Sequence, residues 1–438
     1  MRKLGGKNLV TKTKIDRGEN SMLNLPKVSK CFTKQTCVGL ALLVLLSSCD
    51  DGEILLKVSS NELVSPAGQS SGEPFLTTSG EEVFMSWLEA KGETEHQLKF
   101  SKLERDGWSK AKVITESDNF FVNWADFPSI QSGPNGTLWA HWLQGGTQGG
   151  YDYGVRVVKS SDGGETWSEP WTPHDDGTAT EHGFVSMMSL GETMGLVWLD
   201  GRQFAAAEKD DSIAREMTLR FRQVEVDGTP GIETLVDGRV CDCCQTDAAM
   251  TPKGPVVVYR DRTEEEIRDI YITRLVDGNW TTGEPVYQDN WNIGGCPVNG
   301  PSVAMAEEEL YVAWFTGAED QPRVKVATSL DMGKTFNSPV IIDDGNPAGR
   351  VSVVGLSTGE ALVSWLERTG GEGAEVRMRR VSSTGEVSES VALTAATSGR
   401  ATGFPQLVQD SDGSLVLAWT DVSVESQQVR VARIEIEN

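Results

Sequence analysis

The segment LWAHWLQ (residues 138–144) is one of seven related stretches that decide the fold. Each is a short apolar run that ends near an aromatic side chain. The other six are VFMSWLE (83–89), GLVWLDGR (195–202), VVVYRDR (256–262), LYVAWFTG (310–317), ALVSWLER (361–368) and LVLAWTD (415–421). Their aromatic residues recur every 51 to 61 residues. A period of this length indicates an internal repeat.

Each repeat combines short alternating apolar runs with Gly- and Asp-containing turns, which is typical of an all-β protein. A unit of about 50 residues holds four short antiparallel strands, the content of one β-propeller blade. We therefore predict a seven-bladed β-propeller. The last unit lacks a fourth strand, so we expect the N-terminal segment ILLKVS (54–59) to supply it and close the ring. Six blades, with one unit as a peripheral insertion, is the alternative.

Residues 1–48 have the features of an export signal. Lys27, Lys30 and Lys34 precede an apolar run at residues 37–46 that is too short to span a bilayer. The sequence LSSC (46–49) resembles the bacterial lipobox, in which the Cys is lipidated. We predict a lipoprotein signal peptide (1–48), a lipidated Cys49 with a short tether (49–53) and a propeller (54–438). The alternative is an ordinary signal peptide that ends near a Cys. The lipoprotein would lie in the bacterial cell envelope, on the periplasmic face or at the cell surface.

Acidic residues outnumber basic ones by 64 to 40, which gives a formal net charge of −24. Such a surface repels nucleic acid and anionic membranes. We therefore expect no nucleic-acid partner, membrane contact through the lipid anchor only, and a monomer. An anionic ligand would need a local cluster of arginines.

Two stretches match an Asp-box pattern, S-x-D-x-G-x-T-W/F: SSDGGETW (160–167) and SLDMGKTF (329–336). In such a turn the Asp accepts backbone N–H groups, Gly supplies a positive φ, and the aromatic ring fills the space beneath. We assign this structural role to Asp162, Gly164, Trp167, Asp331, Gly333 and Phe336. The repeats and these turns resemble the sialidase-like, Asp-box (BNR-repeat) propellers.

The resemblance implies a fold with six blades in true sialidases, and an exo-α-sialidase-related glycoside hydrolase chemistry. Members of that family hold a sugar carboxylate with three arginines and use a Tyr nucleophile. This sequence departs from the pattern. The family's N-terminal Arg motif is replaced by GEPF (72–75), and no Tyr occurs after Tyr311. Whether the protein is an enzyme therefore stays open.

Loops before the first and after the second strand of each blade line one face of a propeller, where ligands usually bind. On this face we expect Asp126, Asp247 and Glu181 as acid/base candidates. The ligand-binding candidates are Arg202, Arg260, Arg262, Arg350, Arg400, Asn299 and His182. The alternative is that these charges form ion pairs between blades.

Four cysteines remain beyond the signal segment: Cys241, Cys243, Cys244 and Cys296. An even number in an exported chain favours disulfides. Cys244 and Cys296 begin adjacent blades and could pair, as could Cys241 and Cys243, although other pairings are open. A thiolate site for zinc or copper, with His182 as a further ligand, or a redox-active thiol pair are the alternatives. We predict no other cofactor.

These observations support one leading function and two alternatives. The leading interpretation is a cell-envelope lipoprotein that binds or hydrolyses a glycan or another anionic small ligand on its Arg- and Asp-bearing face. The second is a non-enzymatic scaffold or assembly propeller. The third is a metal- or redox-handling protein centred on the cysteines.

Overall fold

The computed structural model describes residues 54–422 and 427–437. The predicted signal segment and Cys49 lie outside them. Seven antiparallel sheets form the seven blades of a β-propeller, as predicted. No helix among the described residues is long and apolar enough to cross a membrane.

The strands follow each other in chain order from the inner strand of each blade outwards, except that the N-terminal strand is the outermost strand of blade seven. Blade one holds β2 (Ser71–Ser79), β3 (Glu82–Ala90), β4 (His96–Glu104), β5 (Gly107–Trp108) and β6 (Lys112–Ser117). Blade two holds β7 (Ser129–Ser132), β8 (Leu138–Gly145) and β9 (Tyr153–Ser160). Blade three holds β10 (His182–Ser189), β11 (Thr193–Asp200), β12 (Met217–Glu225) and β13 (Pro230–Val240). Blade four holds β14 (Asp247–Thr251), β15 (Gly254–Arg260), β16 (Ile270–Val276), β17 (Asn279–Trp280) and β18 (Glu284–Pro285).

Blade five holds β19 (Ser302–Ala306), β20 (Glu309–Thr316), β21 (Arg323–Ser329) and β22 (Val340–Ile341). Blade six holds β23 (Pro347–Gly355), β24 (Ala361–Gly370), β25 (Gly373–Val381) and β26 (Val391–Thr397). Blade seven holds β27 (Gln406–Gln409), β28 (Leu415–Asp421), β29 (Gln428–Glu437) and β1 (Lys57–Leu63). A short helix, α1 (Arg202–Ala207), follows β11, and 3-10 turns cover Pro134–Gly136, Ala318–Asp320 and Arg400–Thr402.

The N-terminal strand closes the ring as expected. β1 pairs antiparallel with β29, from Lys57 opposite Glu437 to Leu63 opposite Val431. The pairing strand therefore starts three residues later than the ILLKVS segment suggested. It supplies the fourth strand of blade seven and covers the edge that β29 would otherwise expose.

The second strand of each blade carries the repeated aromatic residue and is buried on both faces. Trp87, Trp198 and Trp365 are almost fully buried, and each donates its indole N–H to the carboxylate two residues later, which belongs to Glu89, Asp200 and Glu367 respectively. Burying an indole N–H without an acceptor would be costly. The repeated W-x-[DE] pattern therefore fixes the rotamer of the tryptophans that pack between blades.

Blade two departs from the four-strand expectation. Its ladder has three strands among the described residues, and the outer position holds an isolated bridge between Val157 and Trp171. Trp171 and the residues after it instead lead into a long loop before β10. That loop contains His174 and Asp176, which contribute to the site described below.

The two Asp-box turns have the same hydrogen bonds. Asp162 accepts the backbone N–H groups of Glu165 and Thr166 at 3.1 and 2.9 Å, and Asp331 accepts those of Lys334 and Thr335 at 3.0 and 2.8 Å. Gly164 and Gly333 both have a φ of 80°. The ring of Trp167 meets Phe100 edge-on, with centroids 5.8 Å apart, while Phe336 packs against the cluster of blades four and five.

Candidate functional site

The central channel is filled at the end where the inner strands begin. Trp124 stacks on Phe404 with ring centroids 5.9 Å apart, and Phe127 packs on the same ring at 5.7 Å. The Gln245 amide reaches across the channel and donates to the carbonyl of Ala125. Beneath this aromatic plug lies a cavity of about 450 Å³ lined by the inner strands of all seven blades. The expected ligand face is therefore closed at its centre, and any side chains that a ligand can reach lie around the plug.

The predicted acids Asp126 and Asp247 line this cavity, but both link neighbouring blades. Asp126 accepts the backbone N–H of Phe184 at 2.7 Å and the hydroxyl of Tyr153 at 3.0 Å. Asp247 accepts the N–H of Val303 at 2.8 Å. Burial raises the pKa of Asp126 to about 7 and that of Asp247 to about 6, although these hydrogen bonds act to lower both pKa values. Asn299 makes the same kind of link, since its Oδ1 accepts the N–H of Arg350 at 2.8 Å.

Two predicted anion binders, Arg260 and Arg350, are buried and bonded to backbone carbonyls. Arg260 donates to the carbonyls of Asn299, Arg268 and Phe315 at 2.7–3.2 Å. Arg350 donates to carbonyls in the 398–403 loop at 2.9–3.3 Å and lies 5.0 Å above the Trp124 ring. Burial lowers the pKa of Arg350 to about 10. Neither guanidinium is directed at open space.

The other three arginines differ from one another. Arg202 pairs with Asp200 at 2.6 Å and Glu233 at 2.8 Å. Arg262 pairs with Glu266 at 2.6 Å and, at 3.5 Å, with Glu216. Arg400 is exposed. These pairs match the alternative of structural ion pairs better than a cluster that holds a sugar carboxylate.

His182 belongs to a buried network that sequence reasoning found only in part. Its Nε2 lies 3.0 Å from Asp176 and its Nδ1 lies 3.0 Å from the carbonyl of Thr180. Its ring stacks on His174 with centroids 3.8 Å apart. Burial acts to lower the pKa of His182, but the hydrogen bond to Asp176 and the charge of Asp200 raise it above its usual value. The polar run PHDD (173–176) was the signal that could have identified His174 and Asp176.

Glu181 is the predicted acid that has no hydrogen-bond or ion-pair partner for its carboxyl group among the described residues. Burial, together with the negative charges of Asp242 and Asp126, raises the pKa of Glu181 to about 7. Its backbone bridges to that of Tyr153, and burial raises the pKa of that phenol well above its usual value. Tyr151, two residues earlier, leaves 71% of its surface exposed.

The four cysteines meet at the start of blades four and five, but the pairing differs from the suggested one. Cys243 and Cys296 form the disulfide, with Cα atoms 5.9 Å apart. The suggested pairs of Cys244 with Cys296 and Cys241 with Cys243 were therefore wrong. Cys244 is turned inward and is 2% exposed, so it contacts Cys241 and not the exposed Cys296.

Three groups of side chains among the described residues have the spacing of a metal site, and one of them, Asp242 with Cys243 and Cys296, contains the disulfide. The sulfurs of Cys241, Cys243 and Cys244 lie within 4.8 Å of one another, as do donor atoms of His174, Asp176 and His182. The histidine set is already satisfied internally, since Asp176 bonds His182 and the His174 Nε2 accepts the N–H of Val155 at 3.2 Å. His182 is therefore a member of this network and not of the cysteine group.

No protein-family model and no curated protein sequence matches the chain. Solved structures similar to it include sialidases and endosialidases with a propeller fold, at low sequence identity. A protein of unknown function from Dyadobacter fermentans is 13% identical over 87% of this chain and 99% of its own, with a TM-score of 0.49. The Hadza microbial sialidase Hz136 is 15% identical over 75% and 66%, with a TM-score of 0.44. The phage phi92 endosialidase is 10% identical over 87% and 70%, with a TM-score of 0.47.

Proposed function

We propose that the protein is an envelope lipoprotein that binds and hydrolyses a glycan, with Glu181 as the proton donor. The observation that carries this proposal is the partnerless carboxyl group of Glu181, whose pKa is raised to about 7. A general acid works best when its pKa lies near the working pH, because it then holds a proton and can release it. The lipid anchor at Cys49 would hold the propeller at a membrane surface.

Neighbouring charges support this role for Glu181. Asp242 and Asp126 both disfavour the ionised form of its carboxyl group. A pair of carboxyl groups in different environments is the usual basis of glycoside hydrolysis. In this proposal Glu181 protonates the glycosidic oxygen, the bond between that oxygen and the anomeric carbon breaks, and a water molecule adds to the anomeric carbon. The carboxyl group of Asp242, which also pairs with Arg268 at 3.1 Å, faces the positive charge that develops on the sugar ring.

The substrate class follows from which side chains are occupied by other protein groups and which are free to bind a ligand. Arg202, Arg260, Arg262 and Arg350 already bind carboxylates or backbone carbonyls, so they do not offer a clamp for a sugar carboxylate. The high pKa of Tyr153 makes its phenol a poor nucleophile. We therefore propose a neutral or basic glycan, for which the exposed ring of Tyr151 offers a stacking surface.

The test is sugar release by the purified protein from a panel of neutral, amino-sugar, uronate-containing and sialylated glycans. Hydrolysis of a neutral or amino-sugar glycan that falls at least a hundredfold in Glu181→Gln is the expected result. Glu308→Gln is the matched control, because Glu308 is exposed in the turn between β19 and β20, away from Glu181. Equal rates in the two variants, or release of sialic acid alone, would overturn the proposal.

A further inference from the structure

Cys241 and Cys244 form a buried thiol pair in a C-x-x-C sequence. Their sulfurs lie 3.6 Å apart, and the two residues are 1% and 2% exposed. Both are free thiols. A separation of this size needs only a small rotation of the side chains to bring the sulfurs to bonding distance.

Cys241 contacts an arginine, Arg268, which also pairs with Asp242 at 3.1 Å and with Glu266 at 2.9 Å. The Arg268 Nη1 lies 3.3 Å from the Cys241 sulfur, and Arg268 is itself only 5% exposed. Contact with the Cys244 thiol, together with the charges of Arg260 and Arg268, lowers the pKa of Cys241, although burial and the negative charge of Asp242 oppose this. Cys241 therefore has the character of a thiolate, which is the nucleophilic form of cysteine. Burial and the adjacent Cys241 raise the pKa of Cys244, so this residue keeps its proton.

An electrophile lies next to this thiolate. The sulfur of Cys243, which is bonded to Cys296, lies 3.9 Å from the sulfur of Cys241. Cys296 is exposed, whereas Cys241 and Cys244 are not. The structure thus places a buried nucleophilic thiol against one end of a disulfide whose other end reaches the surface.

We propose that this cluster is an internal thiol–disulfide relay, in which one disulfide moves between the pair Cys243–Cys296, which reaches the surface at Cys296, and the buried pair Cys241–Cys244. In the first step the Cys241 thiolate attacks the Cys243 sulfur. The Cys241–Cys243 bond forms, the Cys243–Cys296 bond breaks, and its electron pair leaves with Cys296, which takes a proton from water.

In the second step Cys244 loses its proton to water and attacks the Cys241 sulfur. The Cys241–Cys244 bond forms and the Cys241–Cys243 bond breaks, with Cys243 leaving as a thiolate. One disulfide is consumed and one is formed, so the exchange needs no external oxidant or reductant. The half-buried Cys243 and the exposed Cys296 are then a dithiol that can reduce a disulfide in a second molecule, and that disulfide is the ligand class of the site.

The relay is tested by trapping thiols in the native, purified protein with iodoacetamide, without reductant, and mapping labels and disulfides by mass spectrometry. We expect the wild type to accumulate label on Cys243 and Cys296 together with a Cys241–Cys244 disulfide. Cys241→Ser should take no label on Cys296. Cys244→Ser should stop after the first step, with label on Cys296 alone and a Cys241–Cys243 disulfide.

Arg268→Met provides a second test that does not remove a cysteine. Labelling of Cys296 should slow about tenfold at about pH 7, because less Cys241 is ionised, and should recover at about pH 9. A purely structural role of Arg268 would not produce this recovery.

Three results would overturn the relay. The first is a wild-type Cys296 that labels no faster than in Cys241→Ser. The second is a wild-type protein in which no Cys241–Cys244 disulfide appears while Cys296 is labelled. The third is a metal ion bound to the purified protein whose removal by a chelator makes the cysteine thiols reactive. This result would make the cluster a thiolate metal site. Because none of these depends on Glu181, the relay and the glycan hydrolysis succeed or fail separately.

Discussion

The carboxylate of Asp247 accepts the backbone N–H of Val303 at 2.8 Å, so the first residue of β14 is bonded to the inner strand of the next blade. Asp126 makes the equivalent bond to Phe184 between blades two and three. Inner strands of different blades cannot form a common ladder in this geometry, and their edge N–H groups need other acceptors. The aspartates that sequence analysis selected as acids supply those acceptors.

Asp247→Ala should therefore destabilise the propeller. The substitution leaves the N–H of Val303 without its acceptor, which costs about 1–3 kcal/mol in the free energy of unfolding. Asp247→Asn should cost less because it keeps one acceptor oxygen. Urea unfolding followed by tryptophan fluorescence measures both. Asp106→Ala, at an exposed turn, is the control that should leave stability unchanged, and an Asp247→Ala protein as stable as this control would contradict the structural role.

Arg260→Met should be more damaging than Arg400→Met. Arg260 satisfies three backbone carbonyls and lies 5.0 Å above the Trp291 ring, so its loss leaves buried acceptors unpaired at a cost of about 3 kcal/mol or more. Arg400 is exposed, and a surface substitution of this kind stays within about 0.5 kcal/mol. Thermal unfolding of the two variants makes the comparison. Similar midpoints would show that the Arg260 contacts contribute little.

The architecture could be predicted from the sequence because its signals are local and repeated. Each apolar run ending in an aromatic residue forms the second strand of a blade, and the missing last strand implied that β1 would pair with β29. The position of Asp126 and Asp247 on the channel followed from the same repeat. These features depend on alternation and spacing, which the sequence records directly.

The chemistry of the site depended on loop geometry and could not be predicted in the same way. Cys243 and Cys244 are adjacent, yet one faces Cys296 and the other faces Cys241. Their opposite directions come from the backbone of the loop before β14, about which spacing says nothing. Likewise, an arginine that binds carbonyls, such as Arg260, has the same sequence signature as one that binds a ligand.

The stability of the protein should decrease as the pH rises through the neutral range, in part because of His182. Its two ring nitrogens face the Thr180 carbonyl and the Asp176 carboxylate, so both donate when the ring is protonated. Because the pKa of His182 is raised in the folded protein, the stabilisation by these two hydrogen bonds is fully present below about pH 6.5, the pKa of His in the unfolded chain. This stabilisation is lost as the pH rises through the higher pKa that His182 has in the folded protein. His182→Gln should reduce the slope of stability against pH, and an unchanged slope in urea titrations would contradict this assignment.

Glu181 should add to the same slope by a different mechanism. Its carboxyl pKa is raised to about 7 by burial and by Asp242 and Asp126. The protonated form is therefore favoured in the folded protein, and this advantage is lost between the unfolded value, about pH 4.3, and the folded one. Glu181→Gln should make the protein more stable than wild type at about pH 8, by roughly 1–2 kcal/mol. A loss of stability at that pH would mean that the ionised carboxylate has a partner.

The Asp-box turns offer a comparison between two adjacent glycines. Gly163 and Gly164 have φ values of 72° and 80°, but a Cβ on Gly163 would meet open space, whereas one on Gly164 would overlap the ring of Phe100. The chain itself supports the distinction, because the second turn places Met332, with a φ of 63°, at the position of Gly163 and keeps Gly333 at the position of Gly164. Gly163→Ala should cost about 1 kcal/mol from backbone strain alone. Gly164→Ala should cost about 2 kcal/mol more, because the ring of Phe100 must move. Chemical unfolding of the two variants measures the difference, and equal losses would mean that the ring moves aside without cost.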